Sequence, residues 1–264
     1  MVEAEFATVV SKGLEAQDVD DLRDLLAAVL RFNSEEGDAT PLIAPAMLLG
    51  ASGLDPVRRR MVPPPGMAVL HESQVFRRAR CLTPSRPLTI RGTEEERGAA
   101  RSFAFTLEDE QGGLGQMETR LRFVTPDVMA SLKGAAFRQA MNTPDMVWRK
   151  TAPISCDRVE RYLTLSHDPN PIHRDDVAAQ AVGLAQAVVP GMLIAGLCEV
   201  ALKSVGIDAE EMRTRYLAPL PIGAALRLGV QIKEQGPKAR ARIFAIDTQD
   251  RIVAISDATR DSGY

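Results

Sequence analysis

The chain has 264 residues, 45% of them hydrophobic and 25% charged, with a formal net charge of −3 at pH 7. These values exclude a disordered or fibrous chain and remove any bulk electrostatic pull toward nucleic acid or an anionic membrane. No apolar run approaches the roughly 18–20 residues of a membrane span, Met1–Lys12 lacks the pattern of a secretory signal, and the separated Cys81, Cys156 and Cys198 suit free thiols of a reducing compartment, so a cytoplasmic location is expected.

The first periodic segment is Gln17 to Phe32. Val19, Leu22, Leu25, Leu26, Val29 and Leu30 recur at helical spacing, and Asp18, Asp20 and Asp21 sit where a helix dipole favours acids. An irregular stretch with Pro41 and Pro45 follows, and Val62-Pro63-Pro64-Pro65-Gly66 forms a rigid loop. From Met67 the texture becomes that of strands. Leu88 and Ile90 alternate, then Phe103, Phe105 and Leu107, and then Met117, Thr119, Leu121 and Phe123 against polar neighbours. Thr125 to Ile154 has no sustained period of two and reads as a linker.

The second half repeats this order. Helices are predicted at Asp157–Leu165, at Asp175–Val182 with Asp175 as N-cap, and at Met192–Val205. Strands follow along Leu226–Ile232, Ala239–Ala245 and Ile252–Ser256. Strand 88–92 matches 226–232, 103–107 matches 239–246, and 117–123 matches 251–258. This reads as a duplicated α+β unit, each copy a helix wrapped by an antiparallel sheet, the alternative being one unduplicated α+β domain. The expected division is residues 1–125, a linker at 126–154, and residues 155–264.

The segment that carries chemistry is Ser166-His167-Asp168-Pro169-Asn170-Pro171-Ile172-His173. Two prolines forbid a continuous helix between Asp168 and His173 and hold the backbone extended. Asn170 is suited to a local hydrogen bond in that turn. A carboxylate and an imidazole so constrained are what a preorganised acid–base pair requires. Downstream, Pro190-Gly191-Met192 opens the apolar helix, where unpaired N–H groups can polarise a carbonyl. Ser166 reads as a cap or a local hydrogen-bonding residue, since no nucleophile elbow surrounds it. His167 reads as an exposed loop side chain. Arg58-Arg59-Arg60 reads as a solvated face, with phosphate recognition as the functional alternative. His167 and His173 find no Cys/His cluster to complete a ligand set, so no metal is expected.

The pattern Tyr162-x-x-x-Ser166-x-Asp168-x-Asn170-Pro171-x-His173, followed by a Gly-Met helix start, resembles the MaoC-like (R)-specific enoyl-CoA hydratases. The resemblance implies a double hot-dog fold with one active and one degenerate half. It implies Asp168 and His173 as the catalytic pair, Gly191 as the oxyanion-hole N–H, and a substrate site including Asn170, Met192 and Ser166. The implied partner is an acyl-CoA or acyl-carrier-protein thioester, with no cofactor; homodimerisation stays open. The implied reaction is addition or removal of water at the α,β bond. The sequence departs from the family at Pro190, where many members have His, and at His167, where many have Gly. The alternatives are a non-catalytic hot-dog subunit that binds acyl thioesters, and a hot-dog thioesterase.

Overall fold

The computed structural model describes residues 3–31, 40–50, 54–236 and 238–261. Phe32, the end of the first predicted helix, lies outside them, as do residues 33–39 of the irregular stretch after it. In chain order the first half contains β1 (Glu3–Ser11), α1 (Ala16–Leu30), a 3-10 stretch at Ala44–Gly50, α2 (Asp55–Met61), β2 (Ala68–Arg78), β3 (Leu88–Arg97), β4 (Ala100–Asp109) and β5 (Gly112–Val124). The segment read as a linker holds α3 (Pro126–Ser131), β6 (Ala135–Ala136), a turn at Gln139–Met141 and β7 (Val147–Lys150). The second half contains α4 (Cys156–Ser166), a 3-10 turn at Pro171–His173, α5 (Asp176–Ala181), α6 (Gly191–Lys203), β8 (Glu211–Tyr216), β9 (Arg227–Glu234), β10 (Lys238–Ile246) and β11 (Arg251–Asp261).

All described strand pairs are antiparallel, and they join into one sheet in the order β1-β3-β4-β5-β2-β8-β11-β10-β9-β7, with β6 on β11. Read outward from its middle, the order is the same on both sides: β2 and β8 are central, then β5 and β11, β4 and β10, β3 and β9, β1 and β7. The three strand correspondences expected from the sequence fall on β3/β9, β4/β10 and β5/β11. The two halves meet where Ser73–Arg77 of β2 pairs with Glu211–Arg215 of β8. On the core side of that junction Thr119 Oγ1 donates to Gln74 Oε1 at 2.7 Å, and at the corresponding place Thr214 and Ser256 share a 2.8 Å hydrogen bond. A buried polar pair of this kind must be satisfied, and pairing it across neighbouring strands holds their register.

The halves fill their cores differently. In the second, α6 runs over β10 and β11, whose inward positions carry Ala239, Ala241, Ala245, Ala254 and Ala258. Small side chains let a full helix lie close to the sheet. In the first half, Pro45-Ala46-Met47-Leu48 is the sequence counterpart of Pro190-Gly191-Met192-Leu193 at the start of α6, and it lies in a 3-10 stretch, Ala44–Gly50. Bulkier groups, Phe103, Phe105 and Met117, fill the space there; burying such a side chain contributes about 1.5–3 kcal/mol. One core cluster spans both halves, with Leu22, Leu25 and Leu26 of α1 in it alongside Leu193, Leu197 and Ala201 of α6. Among the described residues no helix is long and apolar enough to cross a membrane.

A buried carboxylate ties the halves together. Glu199 of α6 accepts from Leu42 N at 2.7 Å and Ile43 N at 3.2 Å, with Lys203 Nζ at 3.6 Å. Burial pushes its carboxyl pKa up, against the opposing pull of Lys203 and the two amides.

Candidate active site

The acid–base segment is built from the end of one helix and the turn after it. Ser155 caps α4 by accepting from Arg158 N. The helix stops at His167, which adopts a left-handed conformation (φ 49°, ψ 35°) and whose N–H donates to Leu163 O and Thr164 O. Asp168 follows, its own N–H bonded to Leu163 O at 3.1 Å. Asp168 Oδ1 accepts from Asn170 N at 2.9 Å, and Asn170 Oδ1 accepts from Ile172 N at 3.3 Å. Each short polar side chain closes the turn that presents the next, which is what Asp and Asn do between prolines. Arg174 Nη1 donates to Asp168 O at 2.8 Å, while its Nε pairs with Glu160 at 3.0 Å, so the guanidinium anchors the turn to α4.

His173 is fixed from the other side. Its Nδ1 lies 2.8 Å from Val188 O, and Val188 N donates to Ile172 O at 3.1 Å. A carbonyl only accepts, so Nδ1 carries the hydrogen and Nε2 presents its lone pair. Nε2 faces Asp168 Oδ2 at 3.9 Å. That is too long for a direct hydrogen bond, yet one oxygen atom fits about 2.8 Å from both. Burial pushes the His173 pKa below the usual histidine range; the Asp168 charge and the Val188 bond oppose this, and Arg174 adds to it. The imidazole is therefore neutral at pH 7, the state a general base needs.

Two residues beyond Val188, Pro190 is the N-cap of α6 and Gly191 its first residue. The first bonds back to Pro190 O come from Leu193 and Ile194, so the Gly191 and Met192 N–H groups stand ahead of the helical ladder. A Cβ on Gly191 would lie 3.0 Å from Tyr216 Cε1 and 3.1 Å from Tyr216 Cζ. Glycine there leaves room for the tyrosine ring against the helix start.

Of the residues singled out from the sequence, Asp168, His173 and Asn170 share one turn, and the His173–Val188 bond links that turn to the segment that starts at Gly191. Met192 packs half-buried against the core. Ser166 is corrected: it ends α4 instead of capping a helix start, and its buried Oγ has no hydrogen-bond partner among the described residues. His167 is exposed, and its Cβ sits over Gly50 of the first half, where an added Cβ would come within 2.4 Å of it and 2.6 Å of Ser166 O. The arginine run is partly committed: Arg58 donates to Gly50 O at 3.0 Å and Arg60 pairs with the buried Glu94.

Two further residues border the site. His71 of β2 stacks on Tyr216 of β8 with ring centroids 4.5 Å apart and planes tilted by 47°. Burial brings the His71 pKa down to about 4, and the nearby His173 contributes in the same direction. Burial also drives the Tyr216 phenol well above its ordinary range. His71 Nε2 and Tyr216 Oη, like Ser166 Oγ, are buried without partners among the described residues. A lone histidine in a strand carries little signal, but His71 is the only histidine in the first half.

Residues 139–251 match the family model described as "MaoC like domain". The match begins inside the stretch 126–154, in which β7 already pairs with β9. Three solved structures are similar over nearly the whole chain. A MaoC-like dehydratase from Phytophthora capsici is 19% identical with a TM-score of 0.72, covering 97% of this chain and 96% of its own. HtdX from Mycobacterium tuberculosis is 19% identical with a TM-score of 0.70, covering 96% of this chain and 99% of its own. A further Mycobacterium tuberculosis protein, described as having a double hotdog fold, is 12% identical with a TM-score of 0.58, covering 98% of this chain and 94% of its own. No curated protein sequence gives a significant match.

Proposed function

We propose, from the match of residues 139–251 to the MaoC-like domain model and the double hot-dog fold, that the protein is a hydro-lyase adding or removing water at the α,β bond of an acyl thioester. The observation that carries this reading is the 3.9 Å separation of His173 Nε2 and Asp168 Oδ2 beside the opening of α6. In the hydration direction, one water oxygen is held by both groups. His173 Nε2 takes a proton from it as the oxygen bonds to C3, and the other water hydrogen points to Asp168. The π electrons move toward the thioester carbonyl, whose oxygen accepts from Gly191 N–H. Return of the proton to C2 completes addition of one water with no net change of charge. The hydrogen bond from Nδ1 to Val188 supports His173 as the base, because it leaves the lone pair on Nε2. Residues 1–125 act in this reading as the non-catalytic half and residues 155–264 carry the pair.

The test is loss of the enoyl-thioester absorbance band. The purified protein is mixed with crotonyl-CoA and with longer and branched enoyl-CoA and enoyl-carrier-protein thioesters, beside His173→Ala and Asp168→Asn. Loss of the band with wild type and a fall of about 10²-fold or more in both variants supports the reading. Undiminished turnover in folded Asp168→Asn refutes the mechanism. Pro190, in place of the histidine common in the family, favours one second reading, a subunit that binds acyl thioesters without turning them over. Saturable binding with no band loss and no free thiol released from any thioester supports that subunit; thiol release identifies a thioesterase.

A further inference from the structure

We propose that Tyr216 is a further catalytic residue, whose phenolic hydroxyl donates a second hydrogen bond, beside the Gly191 N–H, to the thioester carbonyl oxygen as negative charge develops there. This rests on the hydro-lyase reading and adds a donor that the acid–base turn does not contain.

Three observations carry it. First, position: the tyrosine ring lies against the first residue of α6, with Cζ, the carbon that bears the hydroxyl, 3.1 Å from where a Gly191 Cβ would stand. The hydroxyl is one bond further from that carbon. Second, an unmet need: Oη is buried and has no partner among the described residues, and neither has His71 Nε2 beside it. A buried orphan hydroxyl costs about 1–3 kcal/mol, a penalty that a bound acceptor removes. Tyr216 Oη, His71 Nε2 and Ser166 Oγ are such atoms, and they belong to this site or border it, where a polar ligand group would sit. Third, the internal repeat: Thr214 and Gln74 hold matching places in β8 and β2, and two residues on, Tyr216 is matched by Phe76. The half without the acid–base turn has Phe76, fully buried in the core, and Ala46 in the place of Gly191. Hydroxyl, helix-start glycine and acid–base pair are thus present together in one half and missing together from the other.

The chemistry is consistent with a donor. Burial keeps the phenol protonated, and the neighbouring Tyr162 and Cys198 strengthen that preference. His71, packed on the ring from the first half, holds it in place as a neutral imidazole. No proton transfer by Tyr216 is involved; it donates a hydrogen bond and takes it back as the carbonyl reforms.

The experiment uses Tyr216→Phe, which keeps the ring and removes one oxygen, in two settings. In otherwise wild-type protein, kcat for the best enoyl-thioester should fall about 10–10²-fold with KM changed less than about threefold, because the donor acts chiefly in the transition state. In the slow Asp168→Asn background, bound 2,4-hexadienoyl-CoA should show a red-shifted band from polarisation of its carbonyl, and adding Tyr216→Phe should remove a substantial part of that shift. Thermal melts establish that both proteins are folded. An unchanged red shift, or an unchanged kcat, overturns the role of Tyr216 while leaving the hydro-lyase reading in place. Absence of both turnover and red shift with wild-type Tyr216 overturns the hydro-lyase reading and this proposal with it.

Discussion

His71 makes a quantitative claim about acid stability. Its pKa lies near about 4 in the folded protein against 6.5 for an unperturbed histidine. A histidine depressed by burial binds its proton more readily in the unfolded chain. The contribution to stability is therefore complete above the unfolded value of 6.5 and is lost as the pH falls toward the folded value. The 2.5-unit difference corresponds to about 3 kcal/mol in full, with about 2 kcal/mol already gone on going from about pH 7.5 to about pH 5. The assay is urea unfolding of wild type and His71→Gln at those two pH values. His173, also depressed by burial, contributes a loss of stability with falling pH in both proteins, and that part largely cancels on subtraction. The pH-dependent loss should be about 2 kcal/mol smaller in His71→Gln. Equal losses in the two proteins would show that His71 keeps its proton in the folded state, and would refute its description as a buried neutral ring behind Tyr216.

Further perturbations probe the ground under the site. Gly50→Ala drives a Cβ into His167 Cβ and Ser166 O, both rigidly held; a loss of about 1–3 kcal/mol is expected in unfolding experiments, with kcat for the best thioester substrate reduced about 10-fold or more because the turn after it carries Asp168. His167→Gly removes a left-handed conformation from a residue with a Cβ and should raise stability by about 1 kcal/mol in chemical denaturation; a decrease would mean that the side chain's contact with Gly50 outweighs the strain. Glu199→Ala leaves the Leu42 and Ile43 N–H groups without their buried acceptor, and a loss of about 3 kcal/mol or more is expected from the urea midpoint.

Legibility in the sequence followed the strength of local signals. Helices α1, α4 and α6 were readable because their buried residues recur at helical spacing, and β4 because Phe103, Phe105 and Leu107 all point inward. Strand β8 was missed: it is six residues long, and its inward Thr214, satisfied by Ser256, interrupts the apolar alternation between Met212 and Tyr216. Strands β1 and β7 end the sheet, where one-sided pairing asks little of the sequence. The Asp168–His173 turn was visible because one short segment carries the residues, the prolines and the spacing. The His71–Tyr216 pair was not, because β2 and β8 become neighbours only when the two halves join. Ser166 is harder to read for a related reason: serine at a helix boundary suggests a cap, but here a left-handed backbone ends the helix and the hydroxyl has no hydrogen-bond partner among the described residues.

The β2–β8 junction has a consequence for how the molecule can fail. Two wrapped sheets assembled from separate chains come apart on dilution, and their stability depends on concentration. Here one polypeptide carries both, so each half meets the other at the effective concentration set by its own tether, whatever the number of copies in solution. Damage at this seam, at Gln74 or Thr214, therefore cannot be relieved by exchanging partners. It stays within the chain as lost folding free energy, and a chain weakened there would lose one half along with the other.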